Sequence, residues 1–85
     1  MEGDEKDQVI ELMATTFLNM SICFFLQGQY SKSVEKATLS LDYKKTLKAL
    51  YRRGKANMAR KDYEAAIKDF EDAVRMDPSD PNDIQ

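Results

Sequence analysis

The residues of this sequence that are best suited to bind a ligand are three cations, Lys48, Arg52 and Lys55. Spacings of four and three residues place them on one face of a helix. The segment from residue 44 to residue 61 carries eight Lys and Arg residues and no Asp or Glu. A single Lys on a helix is usually just a solvated side chain, but three cations on one face without acidic neighbours favour the binding of an anion.

Catalytic and metal-binding chemistry find little support in the sequence. His, the commonest general base and metal ligand, is absent, and the three glycines form no phosphate-binding loop. The carboxylates Asp69, Glu71 and Asp72 follow a helical pattern that is typical of a solvated face. We therefore expect no enzyme active site, no metal and no cofactor in this chain.

The three cations lie in a segment whose pattern recurs 33 residues upstream. The matched positions are Phe17 with Leu50, Ser21 with Gly54, Tyr30 with Tyr63, Ser33 with Ala66, Ala37 with Phe70, and Ser40 with Ala73. A period of about 34 residues with small residues at set places is typical of a helical solenoid. The small residues let two antiparallel helices approach closely, and the bulky ones fill the space beside them.

These patterns predict an all-α fold of tandem antiparallel helix-turn-helix repeats, an α-solenoid of about two repeats with an extended first helix. We predict helices at residues 5–27, 31–41, 46–60 and 63–76. Asp62 should cap the last helix, whose apolar stripe comprises Tyr63, Ala66, Ile67, Phe70, Ala73 and Val74. The predicted organisation is a helical extension at 1–13, repeats at 14–46 and 47–80, and a frayed tail at 81–85.

Composition indicates one small globular domain near the lower size limit for independent stability, with 85 residues, 42% hydrophobic and 33% charged. Cys23 lies in an apolar run and is predicted to be a buried core residue. We expect the longest apolar run to be too short and too interrupted to cross a bilayer, and the acidic start does not resemble a signal peptide. We expect a reducing, aqueous location, the cytoplasm or the nucleus, and no membrane partner.

Two repeats are fewer than solenoids usually need, and an apolar edge formed by Val9, Ile10 and Met13 precedes the first of them. These surfaces require a partner. We expect either that the chain is a piece of a longer protein, or that it self-associates or exchanges helices between copies.

The stretch LKALYRRGKANMARKDYEAAIKDFEDAVRMDPSD, residues 47–80, strongly resembles the tetratricopeptide repeat (TPR). The segment FLNMS followed by KALYRRG resembles the second and third repeats of carboxylate-clamp co-chaperones such as the large immunophilins. In that family, Lys, Asn and Arg side chains in a concave groove bind the two carboxylates of a chaperone's C-terminal Asp. The matching residues here are Asn19, Lys48 and Arg52, while Lys55, Thr15, Ile22 and Phe25 would extend the groove.

The resemblance implies a co-chaperone's protein–protein interaction module that binds the acidic C-terminal peptide of a heat-shock chaperone of the ninety- or seventy-kilodalton class. The family's first repeat, which supplies another Lys and Asn, has no counterpart here, and isomerase activity would belong to a separate domain of such a protein. Two alternatives remain open: an oligomerisation or scaffold module without a clamp, and nucleic-acid binding through the basic segment 44–61. The acidic net charge of −2 weighs against nucleic acid.

Overall fold

Four α-helices form the part of the chain that the computed structural model describes, the backbone of residues 2–76 and the side chains of residues 4–76. The helices are α1 (Glu2–Leu26), α2 (Tyr30–Tyr43), α3 (Leu47–Ala59) and α4 (Tyr63–Met76). Successive helices pack on one another, and α1 also contacts α3. The all-α prediction is confirmed, and the predicted tail at 81–85 lies outside the described residues.

The two helix pairs turn in the same way, at positions 33 residues apart. Gly28 and Lys61 both adopt the left-handed conformation, with φ of 77° and 68°. The following amide N–H groups reach back to the helix, Gln29 to the carbonyl of Phe24 at 2.9 Å and Asp62 to that of Asn57 at 2.8 Å. This Schellman arrangement satisfies carbonyls that a helix end leaves free. The repeat in sequence is thus a repeat in backbone geometry.

Side-chain caps fix where α3 and α4 begin. The hydroxyl of Thr46 accepts a hydrogen bond from the amide of Ala49 at 3.1 Å, and the carboxylate of Asp62 accepts one from the amide of Ala65 at 3.3 Å. Each cap satisfies an amide that the first helical turn leaves without a partner. The predicted capping role of Asp62 is observed.

The crossing of α1 and α2 is built on two buried serines. Ser21 Oγ donates to the carbonyl of Ser33 at 2.7 Å, and Ser33 Oγ donates to the carbonyl of Ser21 at 2.8 Å. Further along, Ser40 Oγ donates to the carbonyl of Ala14 at 2.7 Å. Because small side chains bring the backbones close, each of these three hydroxyls bonds across the crossing and is buried with an acceptor.

The crossing of α3 and α4 has the same spacing with different chemistry. Gly54 and Ala66 take the places of the two serines, and both are buried. A Cβ atom on Gly54 would lie 2.7 Å from the ring of Phe70, so the aromatic side chain occupies the space that glycine leaves. The predicted pairing of a small position with a bulky one is therefore observed in the second helix pair.

A polar network holds α2, α3 and α4 together, and it corrects the sequence interpretation of Asp69. That carboxylate was expected on a solvated face, but it is 3% exposed. It accepts hydrogen bonds from Arg53 and from Asn57 Nδ2, and Arg53 also donates to Thr38 Oγ1 at 3.1 Å. Asp69 can be buried because one guanidinium and one amide on α3 replace the water that would otherwise solvate its carboxylate.

Two further expectations about α1 are wrong. Cys23, predicted to be buried, is exposed. Over Asp4–Leu26 the helix has, by length and composition alone, the character of a membrane-spanning segment, which contradicts the expectation that its apolar run is too short. In the N-terminal edge, Val9 is exposed, whereas Ile10 and Met13 are half-buried. All these deviations belong to one helix, which presents apolar side chains on more faces than α2 covers.

Candidate functional site

A groove of about 430 Å³ lies between α1 and α3. The first helices of the two pairs run side by side here, and their exposed faces form the two walls. The lining residues are Glu11, Thr15, Leu18, Asn19, Ile22, Thr46, Lys48, Tyr51 and Arg52.

The structure brings together most of the residues that the sequence singled out. Asn19, Thr15 and Ile22 line the α1 wall, spaced by three and four residues, and Lys48 and Arg52 line the α3 wall. Because a helix presents positions i, i+3, i+4 and i+7 on one face, each wall is a single helical stripe.

Lys55 and Phe25 do not line this groove. The Lys55 ammonium lies 5.9 Å from the centre of the Phe25 ring and 5.6 Å from that of Tyr51. Phe25 itself packs edge-on against Tyr30, with ring centres 5.3 Å apart. Lys55 is thus held beside the groove by two aromatic faces, which attract a cation through their quadrupoles.

Tyr51 and Glu11 are groove residues that sequence reasoning did not place. Tyr51 is 49% exposed and packs against Phe70 on its other side, with ring centres 6.0 Å apart. Its position three residues after Lys48 places it on the same helical face, and this spacing could have predicted that Tyr51 lines the groove. Glu11 comes from the helical extension, and its carboxylate pairs with Lys44. No sequence signal marked it, because the pairing joins positions 33 residues apart.

The charges of the groove favour an anion on the α3 side. Lys48 and Arg52 supply two cations there, and the only acid among the lining residues, Glu11, is engaged by Lys44. Asn19 adds an amide that can donate from the opposite wall. Leu18 and Ile22 make part of the α1 wall apolar.

This arrangement suits a carboxylate group attached to a partly apolar chain. A carboxylate only accepts hydrogen bonds, and the groove offers an amide, an ammonium and a guanidinium, the last of which can bind it in bidentate fashion. Among the described residues, no cluster of His, Cys, Asp and Glu side chains could hold a metal ion.

Residues 47–80 match the family model described as tetratricopeptide repeat. Curated relatives include the peptidyl-prolyl cis-trans isomerase FKBP4 of Mus musculus, 30% identical over 78 residues, which is 91% of this chain and 17% of the relative. The FK506-binding protein 59 of Drosophila melanogaster is 28% identical over 74 residues, 85% of this chain and 17% of the relative. No solved structure matches the chain significantly.

A plant relative shows the same partial coverage. The peptidyl-prolyl cis-trans isomerase PASTICCINO1 of Arabidopsis thaliana is 36% identical over 67 residues, 78% of this chain and 11% of the relative. The chain thus spans about a sixth or less of the length of these relatives, and the aligned part is a repeat segment rather than an isomerase domain. Residues 47–80 therefore form a tetratricopeptide repeat, and the chain as a whole is similar in sequence to segments of the large immunophilins.

Proposed function

We propose that the groove between α1 and α3 binds the acidic C-terminal peptide of a heat-shock chaperone of the ninety- or seventy-kilodalton class, and that the chain is an interaction module of a co-chaperone. The observation that carries this proposal is the convergence of Asn19, Lys48 and Arg52 on one groove. Relatedness to large immunophilins supports it further.

The two cations and the amide would together bind the carboxylates of the peptide. Arg52 and Lys48 would bind the terminal carboxylate and the neighbouring Asp side chain, and Asn19 would donate to one of these groups from the other wall. The apolar side chains of Leu18 and Ile22, together with the Tyr51 ring, would contact the preceding peptide residues. Only two repeats contribute, so the expected affinity is low.

Pairing within the basic segment weighs against a nucleic-acid surface. Arg53 is bound to Asp69, Lys44 to Glu11, and Arg60 to Asp62, so three of the eight cations of residues 44–61 already have an acidic partner. Lys48 and Arg52 instead line the groove. The cations therefore form a local site more than a continuous basic face.

Titration of the chain with an acidic peptide that ends in a free Asp, followed by calorimetry, tests the proposal. Arg52→Ala and Lys48→Ala should each weaken binding by up to about 1.5–3 kcal/mol, less where water screens the contact. Lys61→Ala, which removes a cation outside the groove, serves as the matched control and should change little. Equal losses from Lys48→Ala and Lys61→Ala would contradict the proposal and favour a diffuse basic surface.

A further inference from the structure

An exposed apolar strip runs along α4, on a different part of the molecule from the peptide groove. Ile67 is 56% exposed and Val74 is 67% exposed, although both belong to the apolar stripe of this helix. With Phe70, Glu71 and Arg75 they line a shallow groove of about 420 Å³. Tyr63, at the start of the stripe, is also 56% exposed, so three of the six predicted core residues of α4 face outward.

The internal repeat shows what covers this kind of surface. A shift of 33 residues relates the α4 groove to α2, where its residues correspond to Val34, Ala37, Thr38, Leu41 and Asp42. The first four of these are buried or half-buried. On α2 the corresponding surface is covered by α3. Arg53 donates to Thr38 at 3.1 Å, and Arg60 donates to Ser31 at 3.2 Å. The occupant is the first helix of the next pair.

The face of α3 that makes these contacts has an exposed equivalent on α1. Ala49 and Ala56 are fully buried, and the residues 33 positions earlier, Thr16 and Cys23, are exposed. Arg53 corresponds to Met20, which is 36% exposed. This explains the exposure of Cys23: it occupies a core position of the repeat on a helix whose neighbour at that face is lacking among the described residues.

We propose that α1 of one copy of this chain packs on α4 of a second copy, as α3 packs on α2 within the chain. The small side chains Thr16 and Cys23 permit the close approach that the two alanines permit in α3, and Met20 meets the apolar strip of Ile67, Phe70 and Val74. At the end of the contact, the amide of Gln27 would face the carboxylate of Glu64, the equivalents of Arg60 and Ser31.

This contact is head to tail. In a pair of copies it leaves α4 of the first copy and α1 of the second copy free to bind further copies. Such a heterologous interface does not close on itself, so the assembly grows with concentration. The peptide groove uses Thr15, Asn19 and Ile22, which lie on another face of α1. Self-association and peptide binding therefore use different surfaces, and an experiment that contradicts one proposal does not contradict the other.

Two surface variants and their mixture test the geometry by light scattering over a wide concentration range. Met20→Glu removes the α1 face and Val74→Glu removes the α4 face, so each variant alone should remain monomeric. An equimolar mixture retains one intact pair of faces and should form a heterodimer that grows no further. Met58→Glu, a change at an exposed residue of α3, is the control and should assemble as the unmodified chain does.

Cys23 provides a second readout in the same samples. Its thiol should react freely with Ellman's reagent in either variant alone, and half of the thiol should be protected in the mixture, that of the Val74→Glu chain. Helical circular dichroism of each variant confirms that it is folded. Three results would overturn the proposal. The first is a monomer at all concentrations, and the second is a mixture of the variants that does not restore assembly. The third is that only one of the two substitutions abolishes assembly, which would indicate a symmetric dimer.

Discussion

The guanidinium of Arg53 holds the buried carboxylate of Asp69 through hydrogen bonds from both Nε, at 3.1 Å, and Nη2, at 2.8 Å. Asn57 Nδ2 donates at 3.0 Å to Oδ2, the oxygen that Arg53 Nε also reaches at 3.1 Å. Since Arg53 also reaches Thr38 on α2, one ion pair joins the second helix of the first repeat to both helices of the second. This network positions α3 relative to α2 and thereby sets the α3 wall of the groove.

Asp69→Ala should destabilise the fold strongly, because it leaves a largely buried guanidinium and the Asn57 amide without their acceptor. The expected cost in the free energy of unfolding is about 3 kcal/mol, measured by urea denaturation. Asp72→Ala, which removes the partner of the exposed Arg75, is the matched control and should cost about 1 kcal/mol or less. Similar costs for both variants would contradict a special role for the buried pair.

The two left-handed turn residues should respond in opposite directions. Gly28→Ala places a Cβ at φ 77°, where nothing else obstructs it, so the expected loss of about 1 kcal/mol is a backbone effect. Lys61→Gly should stabilise by up to about 1 kcal/mol, since glycine adopts φ 68° without strain. Thermal denaturation followed by circular dichroism measures both. A gain from Gly28→Ala would show that the turn differs from the one described.

The helix crossing of the second repeat tolerates little added volume. Ala66 is 3% exposed, and Ala66→Leu should overpack the contact with α3 at a cost of about 1–3 kcal/mol. Lys68→Leu, at an exposed position of the same helix, is the control and should be close to neutral. If Ala66→Leu is as stable as the unmodified chain, the register of α3 and α4 is wrong.

Much of this architecture could be predicted because repeats reveal themselves in sequence. The recurrence of Ser21 as Gly54 and of Ser33 as Ala66 indicated both crossings, and the resemblance to the tetratricopeptide repeat implied that Asn19 and Lys48 lie on facing helices. The burial of Asp69 could not be predicted from its helix alone, because its partner lies 16 residues earlier on α3. The exposure of Cys23 was missed for a related reason: burial at a repeat position depends on the neighbouring helix and not on the residue type.

Glu11 is the residue of the groove that should oppose an acidic peptide. Glu11→Gln removes a negative charge from the lining and releases Lys44, so peptide affinity should rise, by up to about 1 kcal/mol for this exposed position. Calorimetric titration at low salt measures the change. The matched control is Glu35→Gln, which removes an exposed acid from α2, outside the groove, and should leave affinity unchanged. Weaker binding by Glu11→Gln would contradict an acidic ligand in this groove, because removing a nearby negative charge cannot disfavour an anion.

The most direct test of the proposed clamp compares one acidic peptide with its C-terminally amidated form, titrated into the same protein. We predict that amidation weakens binding about as much as Lys48→Ala does, and that amidation has little further effect on the Lys48→Ala variant, because both changes remove the same interaction. Equal binding of the free acid and the amide would contradict recognition of a terminal carboxylate by Asn19, Lys48 and Arg52.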